Sequence, residues 1–371
     1  MISALIEDSC EPYVYTDGPG VRVGGSKVEV NSLNIGDKLT QYQQMQDIFK
    51  WKNLLALAIS LSFLCLSKFT YQITYAARLG CNFDLIDQIT RPDEGNVKAN
   101  RALAISFAGY LFSVGTILAG LFKDLRQLGL SDEDNGDIYG DSIDASTQFT
   151  TDLLWAGLGL AMLLVVQIVN DVLIFHRYSN VEQMIEHDNT ALATVEAGMY
   201  VSSSYLISVC IQAQTIAIGF TLFAVGLGCI VLFSFGYEFM TKYDDRVAIE
   251  QKNVAAGVNW ALNLVAVGLL LSRAVDASNS LWVFLVWFGV GSTLIMLYRL
   301  VIDAVVIPEI NLDDELSTAV ASTPDGAAPL DAKPDAKNWG VAVLAGVMSI
   351  SLVQCLNTFL RDCEFEMTDP H

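Results

Sequence analysis

Long apolar stretches separated by short polar ones run through most of the chain. Eight of them, at about 53–77, 100–122, 151–175, 190–211, 215–239, 252–274, 281–306 and 338–360, are long enough to cross a bilayer as helices, which takes about 20 residues each. They fall into four pairs, each a two-helix hairpin. Between the second and third pairs only Gln212, Ala213 and Gln214 intervene, so those hairpins must be neighbours. The pattern predicts an all-α polytopic membrane protein with eight transmembrane helices, arranged as four parallel two-helix hairpin repeats.

The second helix of each pair opens with the same spacing of small residues. An Asn is followed two, four and eight positions later by Ala or Gly. The copies read Asn100, Ala102, Ala104, Ala108; Asn189, Ala191, Ala193, Ala197; Asn253, Ala255, Gly257, Ala261; and Asn338, Gly340, Ala342, Gly346. Positions four and eight share one helix face, so each copy carries a seam that lets helix backbones approach closely in a membrane. Helix packing is its expected role, with a binding surface second.

The remaining segments are polar. Residues 1–51 form a tail in which alternation around Gly18-Pro19-Gly20 predicts a β-hairpin, followed over 39–50 by a pattern that fits an interfacial helix. Repeat 1 is then 52–122, an acidic loop 123–150, repeat 2 151–211, repeat 3 212–275 and repeat 4 276–360. Repeat 4 contains a Pro- and Asp-rich linker at 307–337, and a short acidic tail, 361–371, ends the chain. Asp132-Glu133-Asp134-Asn135-Gly136-Asp137 starts like a calcium loop, but Ile143 stands where the bidentate Glu is needed, so a solvated loop is expected. Residues 1–50 show no basic start followed by an apolar core, and the first membrane helix is expected to act as the insertion signal.

Composition agrees with the pattern. The chain is 53% hydrophobic and 17% charged over 371 residues, with a mean hydropathy of +0.42; a soluble domain carries about a quarter charged residues. The lipid bilayer is therefore the first partner. A net charge of −20 argues against nucleic acid and leaves room for cations or basic partners. Basic residues in the hairpin connectors slightly outnumber those on the other side, which favours connectors in the cytoplasm. Seven cysteines show no CxxC spacing; Cys65, Cys210, Cys229 and Cys355 read as buried free thiols, and a Cys10–Cys363 bridge is the less favoured alternative. With three histidines and no phosphate loop, nucleophile elbow or dinucleotide fingerprint, neither a cofactor nor an enzyme is expected.

Polar residues inside spans are costly and by default face the protein interior. Lys68, Glu196, Asn259 and Asn263 are of this kind, with Tyr71 and Tyr75 following Lys68 on one helix face, and Gln354 and Asn357 near the end of the last helix. A Lys68–Glu196 pair would neutralise both charges, either as structural glue or as part of an ion path. Asp171, Glu238 and Asp303 recur near the ends of the leading helices. Around a common axis they would make an acidic mouth; as separate helix ends they would simply be solvated.

The unit E-x-x-N-x-A-x-A-x-x-x-A-G resembles a motif of the YjfL-like family of small bacterial inner-membrane proteins of unknown function. Its best copy is Glu186 to Gly198, followed by Glu250 to Ala261, where Leu262 replaces the Gly. Around Asn100 the Ala108-Gly109 pair is kept and Val97 replaces the acid; the fourth copy has Asp335 and Ala345-Gly346. The resemblance implies the architecture and a bacterial inner membrane, and no functional residue. Two functions fit: conduction or transport of cations or small polar solutes, or a non-conducting structural or accessory subunit. A homo-oligomer or other membrane-protein partners suit both.

Overall fold

In a computed structural model, residues 51–79, 83–90, 99–130, 145–175, 179–212, 215–241, 244–277, 280–306 and 339–367 are described. Side chains at 51–56, 122–130, 145–152, 303, 306 and 360–367 are not. The chain divides into a unit up to Leu55 and a unit from Ala56 onward. The expected β-hairpin, interfacial helix, calcium-like run and 307–337 linker, with Cys10, Cys81 and Asn338 and the Cys363 side chain, lie outside what is described.

All regular structure among the described residues is helical. The helices are α1 (Trp51–Leu79), α2 (Leu85–Thr90), α3 (Arg101–Leu130), α4 (Ala145–Val169) with a π-helical turn at Asn170–Ile174, α5 (Asn180–Ile185) and α6 (Thr190–Cys210). They continue as α7 (Ile216–Met240), α8 (Asp245–Glu250), α9 (Val254–Ala277), α10 (Leu281–Val301) with a π-helical turn at Ile302–Val306, and α11 (Trp339–Met367). Helix 3 runs on to Leu130 and helix 4 begins at Ala145, both within the stretch expected as an acidic loop.

Among the described residues, seven helices are long and apolar enough to span a membrane: α1, α3, α4, α7, α9, α10 and α11. The remaining long helix, α6, is more polar. It carries Thr190, Thr194, Glu196, Ser202, Ser203, Ser204 and Ser208, and most of it is nonetheless buried. Its Thr194, Ser204 and Ser208 hydroxyls donate to carbonyls of the same helix, and Glu196 accepts from Ser106 and Tyr75 of neighbouring helices. Outward-facing side chains elsewhere are large and apolar: Ile73 is 66% exposed, Leu154 70% and Phe239 92%. Exposed apolar surface on this scale marks contact with lipid or another membrane protein, and the molecule is an integral membrane protein.

Helices α3, α6, α9 and α11 pack each against the next in a row. The contacts keep one register. Nine residues after its Asn, Gly109 faces Ala197, which lies eight after the next Asn; Gly198 faces Ala261 in the same way, and Leu262 faces Gly346. A Cβ on Gly198 would lie 2.7 Å from the Ala261 Cα, so backbones meet there directly. In the last pair the bulky and the small partner change sides. Gly120 against Ser208, Gly257 against Ala191 and Gly268 against Ser202 extend the close approach along the row. Small residues thus lie at the contacts along the row. One assignment changes: Ala108 is exposed and its neighbour Gly109 makes the contact, while Ala104 is half-buried. Ala193 and Ala342 are buried.

The leading helices lie against this row. Helix 4 packs on α3 and α6, α7 on α6 and α9, and α10 on α9 and α11. Helix 1 joins through its aromatic face, where Tyr71 stacks on Tyr75 at 4.6 Å and tilts against Phe107 and Tyr110 of α3.

Asn100, Asn189 and Asn253 are helix N-caps. The Oδ1 atoms of Asn100, Asn189 and Asn253 accept from the backbone N–H of Leu103, Leu192 and Ala256, at 2.7, 3.1 and 3.2 Å. The Asn100 and Asn189 amides also reach carbonyls far along the chain. Asn100 Nδ2 donates to the Met184 carbonyl at 2.8 Å, and Asn189 Nδ2 to the Ile249 carbonyl at 2.8 Å. Met184 lies in the last turn of α5 and Ile249 in the last turn of α8. Asp188 reaches back, accepting from Ala102 N–H at 2.8 Å. An Asp could cap but could not donate, which is why an amide suits this position.

Candidate functional site

Helix 6 sits between α3 and α9 and places Glu196 where α1, α3 and α6 meet. Its side chain is wholly buried. Three hydroxyls from three helices donate to the carboxylate: Ser106 of α3 at 2.6 Å, Tyr200 of α6 at 2.9 Å, and Tyr75 of α1 at 3.1 and 3.3 Å to the two oxygens. Helical spacing explains the set, since Tyr200 lies one turn after Glu196 and Tyr71 one turn before Tyr75. Tyr71 extends the network by donating to Ser106 Oγ at 2.8 Å, and Thr70 shares a hydrogen bond with Tyr110 at 2.9 Å.

Lys68 takes no part. It is half-buried, with Nζ 5.7 Å from the Phe69 ring centroid, and no ion pair joins it to Glu196 among the described residues. The expected Lys68–Glu196 pair is replaced by hydroxyls because the face of α1 turned to the row carries the tyrosines. Tyr71 and Tyr75 stand out in the sequence only as followers of Lys68, and their role as partners of the acid was missed. Their spacing of four was the available signal.

At the connector end of α4, Asp171 forms an ion pair with Arg78 of α1 and accepts from Asn180 Nδ2 at 2.6 Å. Its side chain is about one-fifth exposed, like that of Arg78. Asp171 stands in the π-helical turn, which Phe175 N–H closes onto the Asn170 carbonyl at 3.1 Å.

Asn259 and Asn263 belong to a second cluster. Asn263 Nδ2 donates to the Asn259 carbonyl at 2.8 Å, and Asn259 Nδ2 donates to the Tyr237 hydroxyl. Arg299 of α10, itself buried, also reaches that hydroxyl and lies over the Tyr237 ring. Asn259 stands six residues after Asn253, as Ser106 does after Asn100, and Asn263 matches Tyr110 at ten. The clusters therefore occupy matching places in the two halves of the chain. The acid does not match: Ala345 stands seven after Asn338, where Glu196 stands seven after Asn189.

Glu238 is neutralised by Arg246 at 3.0 Å, and the Asp303 side chain lies outside the described ones. Asp171 and Glu238 are thus each paired with a different arginine. Gln354 is exposed, and Asn357 Nδ2 donates to the Leu269 carbonyl at 3.4 Å. Cys210 and Cys229 are buried free thiols as expected, whereas Cys65 and Cys355 are exposed on outward helix faces. In the connector of the second hairpin, Glu182, Glu186 and His187 bring one ligand atom each within 4.8 Å of one another, all exposed.

A family model described as Domain of Unknown Function (DUF350) matches residues 51–211 and again 213–353. The boundary falls at the short link between α6 and α7, so the first copy holds α1 to α6 and the second starts at α7. No curated protein and no solved structure matches the chain. The duplication seen in the matching polar clusters is thus also a duplication of a family domain, and the chain belongs to the DUF350 family, in two successive copies.

Proposed function

We propose that the chain transports a small cation across the membrane, with Glu196 as the site that takes it up and releases it. One observation carries this reading: a wholly buried carboxylate is held by three hydroxyls and, among the described residues, by no cationic side chain. A charge in such a place is costly, and a neutral Gln could accept hydrogen bonds there at lower cost if fixing helices were the only need. The partly exposed Arg78–Asp171 pair marks the side from which Glu196 is reached, and the hydroxyl chain through Ser106 and Tyr71 continues beyond it. On this reading all eight long helices cross the membrane, α6 included, as four parallel hairpins. The E-x-x-N motif supports placing the chain near the YjfL-like proteins of the bacterial inner membrane.

The close packing of α3, α6, α9 and α11 favours a second reading, a non-conducting structural or accessory subunit. Seams in which glycines meet backbone leave little room between those helices. Flux into liposomes holding the purified protein separates the two. Uptake above empty vesicles, lowered at least tenfold by Glu196→Gln in a folded protein, supports transport; tight vesicles around inserted, folded wild-type protein support the accessory subunit.

A further inference from the structure

Four side-chain atoms of α4 and its π-helical turn make no hydrogen bond: Nε2 and Oε1 of Gln167, and Nδ2 and Oδ1 of Asn170. Both residues are wholly buried. They lie one turn apart on the inner face of the helix, and Asn170 begins the π-helical turn. Asp171 follows directly and joins this face to the partly exposed ion pair with Arg78; Oδ1 of its partner Asn180 is also unpartnered. Unpaired groups run from the entrance inward.

The second copy gives Gln167 a counterpart. Its π-helical turn begins at Ile302, so Arg299 stands three residues before it, as Gln167 stands before Asn170. Arg299 reaches the hydroxyl of Tyr237, which ends a stacked Phe233–Tyr237 pair as Tyr75 ends the Tyr71–Tyr75 pair. By this correspondence Gln167 holds the position from which Arg299 reaches the tyrosine of its own copy, and the matching tyrosine of the first copy is Tyr75, whose hydroxyl holds Glu196.

Leaving a buried amide unpaired is destabilising on both its donor and its acceptor side. The packed arrangement therefore competes with one in which these groups are solvated. A metal cation would satisfy the carbonyl oxygens and leave the N–H groups unpaired, and an anion the reverse. Water satisfies both. We propose that the π-helical turn of α4 opens to admit water along Asp171, Asn170 and Gln167, and that this water delivers protons, rather than metal cations, to Glu196. The inference rests on reading Glu196 as the transport centre and names its substrate. A proton taken from the water file is held on the Glu196 carboxyl and returned to water on release, so no other reactant is needed.

The test uses the full chain in lipid. Asn170→Cys, in a background with the native cysteines replaced, is treated with a small water-soluble methanethiosulfonate, and proton and potassium uptake are measured for wild type, Glu196→Gln, Gln167→Leu and Asn170→Leu. Labelling of the thiol in the folded protein is expected, with proton uptake, no potassium uptake, and at least a tenfold loss in both Leu variants. The Leu variants remove unpaired polar atoms, so their thermal melting should be no lower than wild type. An unreactive thiol, potassium uptake, or Leu variants that transport protons normally would overturn the water route. The reading of Glu196 would survive any of these if Glu196→Gln alone still abolished uptake, and would fall separately if it did not.

Discussion

Asn189 performs two tasks with one side chain, capping its own helix and holding a carbonyl in the last turn of the next connector helix. Replacing it with Ala removes both, at a cost of about 2 kcal/mol from a lost cap and an unpaired buried carbonyl. Asn189→Asp keeps the cap, loses the donor and sets a charge against a carbonyl, so it should be no better tolerated. Chemical unfolding in detergent measures the ranking: wild type above both variants, with Asn189→Ser between, since Ser retains a capping oxygen. A wild-type midpoint in all three would show that the link between hairpins carries little stability. The cage around Glu196 is graded in the same way. Tyr75→Phe removes one of three donors and should cost about 1 kcal/mol or more in the same unfolding measurement, because the carboxylate stays buried.

At the scale of helices, stability rests on which residue of each seam is small. Leu262 faces Gly346, where Gly198 faces Ala261 and Gly109 faces Ala197. Gly346→Leu should force two bulky groups together and cost about 1–3 kcal/mol. Adding Leu262→Gly to the same chain should restore much of the loss, since residues in contact couple strongly. Unfolding of the two single variants and the double variant measures this directly; simple additivity would mean that the helices do not meet at these residues. The repeat itself was legible from sequence because small residues recurring in register, each time at the start of a long apolar helix, reflect a shared packing geometry. The departure at Leu262 was legible too, but not its compensation, since pairing Leu262 with Gly346 requires knowing which helices are neighbours. The capping role of Asn was also readable in principle, from an amide residue preceding a long apolar helix.

Across the whole molecule, polar residues are concentrated where lipid is not. Helix 6 falls outside the seven helices apolar enough to span a membrane and lies between two others of the row. Residues 190–210 placed alone in an insertion reporter should enter the membrane poorly, and the same residues in the full chain should span it. Efficient insertion alone would contradict the view that neighbouring helices supply its environment. Glu196 was legible in the sequence as a buried acid, but the expected partner was wrong, because a positive charge is the simplest answer to a buried negative one. Hydroxyls on α1 and α3 could be assigned only after those helices were placed beside α6. The difference between the halves was hidden for a similar reason: Glu196 and Ala345, or Gln167 and Arg299, become counterparts only once the two copies are aligned.

If Glu196 takes up and releases a cation, it must react with a membrane-permeant carbodiimide in transporting vesicles. The carboxyl is wholly buried in the packed structure, so a working cycle must expose it. Peptide mapping should find Glu196 modified, with uptake falling in proportion to the modified fraction and the Glu196→Gln protein neither labelled at that position nor active. Undiminished uptake from vesicles in which Glu196 is fully modified would contradict the account.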